Sequence, residues 1–365
     1  MRSFAEPCPG DGRAAAQLRI EAAKAAAFGK PLAAALMSAL ARVLPSVPSL
    51  HAHVEDWPGD LAADGVAFRL NAGLHALALG GEAPELADLY ASRGNALPPA
   101  PDRLDRILSR VLEDHPRTLT SWLAHPTQTN EVARVAGLVA ALLALGRETP
   151  LPCEVLELGA SAGLNLNLAH YGFGLGGMTV GDTDGPLFIV PDWRGRTAAA
   201  GPLAVAGARG VDLHPLDARD PDHRRRLESY VWPGEVQRSA RLAAALGIAQ
   251  VHPPVVEEGR ASRWLARELA RPQPAGVRRV VFHSMVLQYA DAAERAGIEA
   301  ALAAAGAVAT RDRPLARVGI EWRADRACVE LRITRHEGSG EDGLPHLAAI
   351  CHPYGEWFDW RGIGP

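Results

Sequence analysis

Apolar residues recur at helical spacing through the first third of the chain and fall into short uninterrupted runs through the rest. Residues 13 to 44 are Ala- and Leu-rich with helical spacing, broken by Gly29 and Pro31 and stopped by Pro45 and Pro48, which predicts two helices. The pattern continues over 61–80, 84–91 and 102–114, with GGEAP and LPPAPD as separators. A strongly apolar helix is expected from Val132 to Leu145. Beyond it, short β-like runs alternate with helical stretches. The runs are Cys153 to Leu158, a segment ending at Asp212, VHPPVVEE, VRRVVFHS and ARVGIEW. Such alternation predicts a mostly parallel sheet with helices on both faces, hence an α/β fold. ACVELRITRH and HLAAICHPYGEWFDW then predict an antiparallel C-terminal hairpin that closes one edge of the sheet. The expected organisation is an all-helical subdomain over 1–126 and a sheet domain over 127–365. The sheet domain carries a Gly-, Pro- and Asp-rich insertion at 171–203, with a hairpin around Asp182 to Gly185. That insertion reads either as a lid or specificity element or as a surface excursion.

Composition narrows the functional classes. The 365 residues are 48% hydrophobic and 22% charged, an ordinary globular mixture able to bury a substantial core. A net charge of −4 gives no global electrostatic case for nucleic acid or an anionic membrane. Cys8, Cys153, Cys328 and Cys351 share no CxxC spacing and read as reduced thiols, and no histidine or carboxylate spacing fits a metal site. The N-terminus has no apolar signal-like run, and Val132 to Leu145 is too short for a membrane span, so a cytoplasmic protein is expected.

The chemistry concentrates at CEVLELGASAGLNLNLAH, residues 153 to 170: strand, glycine turn, helix. Gly159 can take a positive φ and admit a ligand close to the backbone, and Gly163 would let the next helix pack tightly. Ser161 is placed to cap that helix. Glu157, at the strand end, is an acceptor for a ligand amine. Ala160 and Asn165 complete the candidate binding turn. The same letters, Gly159-Ala160-Ser161-Ala162-Gly163, match the G-x-S-x-G elbow of α/β-hydrolases, in which Ser161 would be a nucleophile. An elbow follows several strands and a Gly-rich oxyanion loop, whereas the preceding region reads as helical and has no HGGG-like stretch.

Further candidates stand at the other strand ends, where ligands of parallel sheets bind. Asp212 could accept both hydroxyls of a ribose or serve as a turn residue. It lies about 50 residues past Gly163, against roughly 20 in a dinucleotide fingerprint, which disfavours a nicotinamide enzyme. Glu258 closes the third strand. His283 closes the fourth and is either a general base or a hydrogen-bonded structural histidine. Tyr289 could position a substrate. Upstream, Gln128, Thr129 and Asn130 precede the apolar helix and could touch cofactor or substrate, although capping alone explains them.

The stretches TQTNEVAR (127–134), LELGASAGLNL (156–166), RGVDLHPLDARD (209–220), VWPGEVQR (231–238), VVFHSMVLQY (280–289) and the closing HPYGEWFDW resemble the domain of unknown function 2332 family. That family is itself similar to class I S-adenosylmethionine-dependent methyltransferases. The resemblance implies a Rossmann-like methyltransferase sheet that binds S-adenosylmethionine through the Glu157 to Gly163 turn and Asp212, and methylates a small-molecule acceptor. One departure stands out: the Gly-Asp pair such proteins carry after the third strand, its acid on the adenine amine, is here Gly259-Arg260. Glu258 or the backbone would then meet the adenine. The rival expectation is a non-catalytic nucleoside- or partner-binding protein.

Overall fold

The computed structural model describes residues 11–91, 99–340 and 342–363. The chain forms two compact units, one of residues 1–129 with 221–240, the other of 130–220 with 241–365. Residues 221–240, expected in the sheet domain, therefore fold with the N-terminal helices.

The first unit is helical: α1 (Arg13–Ala27), α2 (Pro31–Val43), α3 (Pro48–Glu55), α4 (Val66–Leu79), α5 (Pro84–Ala91), α6 (Pro101–Asp114) and α7 (Pro116–Leu123). α9 (Pro221–Ser229) and the start of α10 (Val236–Val251) join them. Six of these helices begin on proline, which has no N–H to leave unbonded in a first turn and a φ already suited to it. Leu36, Met37, Leu40 and Leu50 are fully buried at the centre, and Trp232 reaches the same core edge-on to Phe68, 5.6 Å between centroids. Among the described residues no single helix is long and apolar enough to cross a membrane; Pro31–Ser46 and Pro48–Glu55 pass that test only as a pair bent by 114°.

The second unit is an α/β sandwich on a mostly parallel nine-stranded sheet. Its strands are β1 (Cys153–Leu158), β5 (Asp192–Gly195), β6 (Val205–Asp212), β7 (Val256–Glu258), β8 (Arg278–Ser284), β9 (Leu315–Trp322), β10 (Val329–His336), β11 (His346–Cys351) and β12 (Trp357–Trp360), in the order β5-β12-β11-β10-β9-β8-β1-β6-β7. β9, β8, β1, β6 and β7 are parallel. β8 is buried along its whole length, as a central strand covered on both faces must be. On one face α8 (Val135–Glu148) packs so closely that a Cβ on Gly137 would lie 2.7 Å from both Leu331 and Phe358. On the other, α11 (Ala261–Ala270) and α12 (Ala292–Gly306) bring Trp264, Leu265, Ile298 and Leu302 onto Leu156, Val211, Val281 and Leu315.

The C-terminal strands run antiparallel as β9-β10-β11-β12. The outermost strand, however, is β5 from the insertion, parallel to β12. The rest of the insertion is a three-stranded sheet of β2 (Gly172–Leu175), β3 (Met178–Gly181) and β4 (Phe188–Ile189). Its hairpin turns at Gly176-Gly177 rather than around Asp182 to Gly185, because adjacent left-handed glycines supply the tight reversal there.

Candidate functional site

Parallel pairing brings the C-terminal ends of five strands to one edge. Leu158 pairs with Val211 and His283, Asp212 with Glu258, and Ser284 with Ile320. The glycine turn leaves β1 at this edge. Gly159 (φ +67°), Ser161 (φ +54°) and Gly163 (φ +69°) are all left-handed. At Ser161, whose Cβ opposes that conformation, the surroundings must hold the backbone in place. They do so through several bonds. Ser161 N–H donates to Asp212 Oδ2 at 2.8 Å, Ala160 N–H to the Val211 carbonyl, and the Ala160 carbonyl accepts from Asn130 Nδ2 at 3.1 Å. Asp212, half-buried, also accepts His214 N–H at 2.9 Å on Oδ1.

Beneath the turn lies a buried polar cluster. Glu157 (2% exposed) accepts Asn165 Nδ2 on Oε1 at 2.7 Å. Its Oε2, the Ser161 hydroxyl and Asn165 Oδ1 are buried with no hydrogen-bond partner among the described residues. Three orphaned polar atoms within one turn are costly unless something else satisfies them. Burial pushes the Glu157 carboxyl up to about 8, and the nearby Asp212 charge pushes the same way, against the Asn165 bond and Arg134.

This geometry corrects the expected Ser161 cap and the open face of Gly159, and it locates the other candidates. Ser161 does not cap a helix: Gly163 occupies that position, no side chain caps it, and Leu164–His170 is a short 3₁₀ segment. The face of Gly159 is covered, since a Cβ there would lie 2.4 Å from Val286 Cγ2. His283 is 2% exposed and both ring nitrogens are engaged. Arg317 Nε–H donates to its Nε2 at 3.0 Å, so Nδ1 carries the proton shared with Glu321 Oε1 at 2.8 Å. With its lone pair committed to a guanidinium, the ring is placed to hold structure, not to remove a proton. Tyr289 is exposed on the loop after β8, and Glu258 is exposed at the end of β7. Asn130 belongs to the unit that holds the turn, whereas Gln128 and Thr129 belong to the helical unit. Arg260 is tied to Glu294 and Asp291 at 2.8 and 3.0 Å. Cys153 and Cys351 are buried free thiols and Cys328 is a partly exposed one; Cys8 lies outside the described residues.

Three residues that sequence reasoning passed over complete the site. Arg134, 5% exposed, donates to the Pro353 carbonyl at 2.8 Å and to Ser284, tying the HPYG loop to the end of β8. Glu321 accepts, besides His283, the N–H groups of Val286 and Leu287 at 3.1 and 3.3 Å. Val286 covers the glycine turn. Only Glu321 had a sequence signal, as a carboxylate at a strand end.

Most of the stretches that suggested the family therefore meet at one sheet edge, as Asn130 and Arg134, the glycine turn, Asp212, the β8 loop and Pro353, whereas VWPGEVQR (231–238) belongs to the helical unit. Fold and site together define an α/β protein with a polar site at the C-terminal edge of its parallel strands. The model of the family described as uncharacterized protein conserved in bacteria (DUF2332) matches residues 15–360, and the chain belongs to that family. No curated protein and no solved structure matches it.

Proposed function

We propose that the protein is an S-adenosylmethionine-dependent methyltransferase acting on a small-molecule acceptor, with a Rossmann-like sheet as its cofactor platform. The parallel strands support the sheet assignment. Numbered along the chain, β7-β6-β1-β8-β9 read 3-2-1-4-5, the doubly wound order, whose ligand crevice opens where the order reverses, between β1 and β8. The glycine turn stands at that reversal.

The observation that carries the reading is the set of orphaned atoms, Glu157 Oε2, Ser161 Oγ and Asn165 Oδ1. Two of the three can only accept when Glu157 is ionised, so they suit a ligand that brings N–H donors or a cation. Phosphate suits the turn poorly. The N–H groups of Ala160, Ser161 and Gly163 all donate within the protein, to Val211, Asp212 and Ala160, so none is left for a phosphate oxygen. A nucleoside with an amino-acid tail fits better than a dinucleotide. Glu157 and Asn165 would hold its ammonium group and Asp212 its ribose hydroxyls, a carboxylate accepting about four hydrogen bonds in all. Glu258 stands beside Asp212 for the adenine, in place of the acid replaced by Arg260. Bound there, the sulfonium supplies an already activated methyl group, and the residues around it have to align donor with acceptor and keep water out. Tyr289, exposed on the β8 loop, would meet the acceptor.

Ser161 as a nucleophile lacks its base, since no histidine or other group among the described residues bonds its hydroxyl. Isothermal titration of the intact protein with S-adenosylmethionine and with its demethylated product tests the proposal. Binding that Asp212→Ala weakens is expected; no binding at concentrations well above ordinary cofactor affinities rejects it. Binding without methyl transfer to any acceptor would leave a nucleoside-binding protein.

A further inference from the structure

The polar cluster under the glycine turn is ready for a ligand, yet the turn is covered. Val286 sits against Gly159 so closely that its Cγ2 and Cγ1 are 2.4 and 2.9 Å from where a Cβ would stand. The segment that carries Val286 leaves β8 through Met285, left-handed at φ +59° and held by its N–H to the Ile320 carbonyl at 2.9 Å. One carboxylate fastens the rest. Glu321 Oε1 accepts Val286 N–H, Leu287 N–H and His283 Nδ1–H. His283 is in turn held by Arg317, whose Nη1 pairs with Glu299 at 2.8 and 3.0 Å. A slot has been left for the ring: a Cβ on Gly319, its cross-strand partner, would lie 2.7 Å from His283 Cε1.

We propose that Met285–Tyr289 is a cover over the ligand site, latched by Glu321, and that His283 and Arg317 are positioning residues that aim the latch. Ligand entry then requires Val286 to leave Gly159, and the segment opens when Val286 and Leu287 release Glu321. Glu321 suits this task because one oxygen at the end of β9 gathers three donors from the end of β8 and the segment after it, so a single side chain holds that segment down. The inference rests on reading the β1 turn as a ligand site, though not on which ligand occupies it.

The test needs no ligand. Ser161→Cys in the full chain places a thiol at a buried position of the turn (7% exposed), two residues past the covered Gly159, and its rate of maleimide labelling is followed by mass spectrometry of the peptide that contains it. Adding Glu321→Ala or Val286→Ala is expected to raise that rate by roughly tenfold or more, as loss of the latch or of the plug favours local opening. Leu302→Ala, a core truncation on α12, is the control for general loosening and should leave the rate within about twofold. Labelling that is equally fast with the cover intact, or that Leu302→Ala accelerates as much as Glu321→Ala, overturns the proposal. Should Ser161→Cys fail to fold, hydrogen exchange over 284–290 in the Glu321→Ala single variant decides. Faster exchange there with 153–158 still protected supports the latch, and unchanged exchange refutes it. Failure to bind S-adenosylmethionine would count against the cofactor assignment alone, since neither measurement involves it.

Discussion

Asp212 Oδ2 accepts the backbone N–H of Ser161 at 2.8 Å, across 51 residues of sequence. The bond joins the end of β6 to the turn that leaves β1, so the residue proposed to hold a ribose also helps to keep Ser161 left-handed. The proposed ribose contact and the turn conformation would then share one carboxylate.

Asp212→Ala removes a carboxyl acceptor from two backbone donors, Ser161 N–H and His214 N–H. Hydrogen bonds to charged groups contribute about 1.5–3 kcal/mol, and the half-exposed setting of Asp212 puts the expected loss near the lower end. Urea denaturation should show that loss. Titration should show cofactor affinity falling by more than about tenfold, beyond what the stability change explains. Unchanged affinity would place the ribose elsewhere.

Gly319→Ala should disturb the site from its cross-strand position beside His283 without touching a ligand. Its Cβ would overlap the imidazole, which has Arg317 on one nitrogen and Glu321 on the other and cannot move aside without breaking a bond. Overpacking of this kind costs about 1–3 kcal/mol. Thermal melts should show the loss, and the Glu321 bonds to Val286 and Leu287 should loosen, seen as faster amide exchange over 284–290. A fully stable variant would show that the slot is looser than the geometry implies.

The strands, their ends and the glycine turn were legible because each rests on local pattern: buried runs, left-handed glycines, carboxylates at strand termini. What escaped was non-local or ambiguous. Pro48 reads as a stop, yet it begins α3, as Pro116 begins α7, because the ring that ends one helix is pre-shaped for the first turn of the next. β5 pairs with β12 across most of the sheet domain, a contact that no sequence spacing announces. His283 was visible as a titratable group at a strand end. Its partners, Arg317 and Glu321, come beside it only through the register of β8 on β9, and they turn a candidate base into a brace. Val286 gave no signal at all, since an apolar residue after a strand looks the same whether it fills a core or covers a site.

The thiols should separate by environment. Burial pushes Cys351 up to about 12 and raises Cys153 as well, so at pH 8 neither presents the thiolate that attacks. Cys328, partly exposed, should react first of these three with a disulfide reagent, followed peptide by peptide in the native protein. The other two should react only when urea unfolds the chain. Rapid native labelling of Cys351 would contradict the packing of β11.

Glu157 should make stability fall as pH rises. Its carboxyl, at about 8 in the folded chain against 4.5 as a free side chain, binds a proton in the native state through a range where the unfolded state has lost it. Its stabilising contribution is therefore present in full below about pH 4.5 and is lost as pH climbs to about 8, at up to about 1.4 kcal/mol per unit. The sum is on the order of a few kcal/mol. Asp325 and Asp342, held low near 2 by their hydrogen bonds, act in the opposite sense but only at lower pH. Comparing wild type with Glu157→Gln, whose amide can keep the Asn165 contact, isolates the term: the variant should be the more stable near pH 8, and the difference should shrink toward pH 5. The proposed ligand adds a second signature. An ammonium group seated against Glu157 favours the ionised carboxylate, so binding near pH 7 should release a proton. Titrations in buffers of different ionisation enthalpy then give different apparent heats for the wild type and matching heats for Glu157→Gln. Equal heats for the wild type in all buffers would mean that no cation meets this carboxyl.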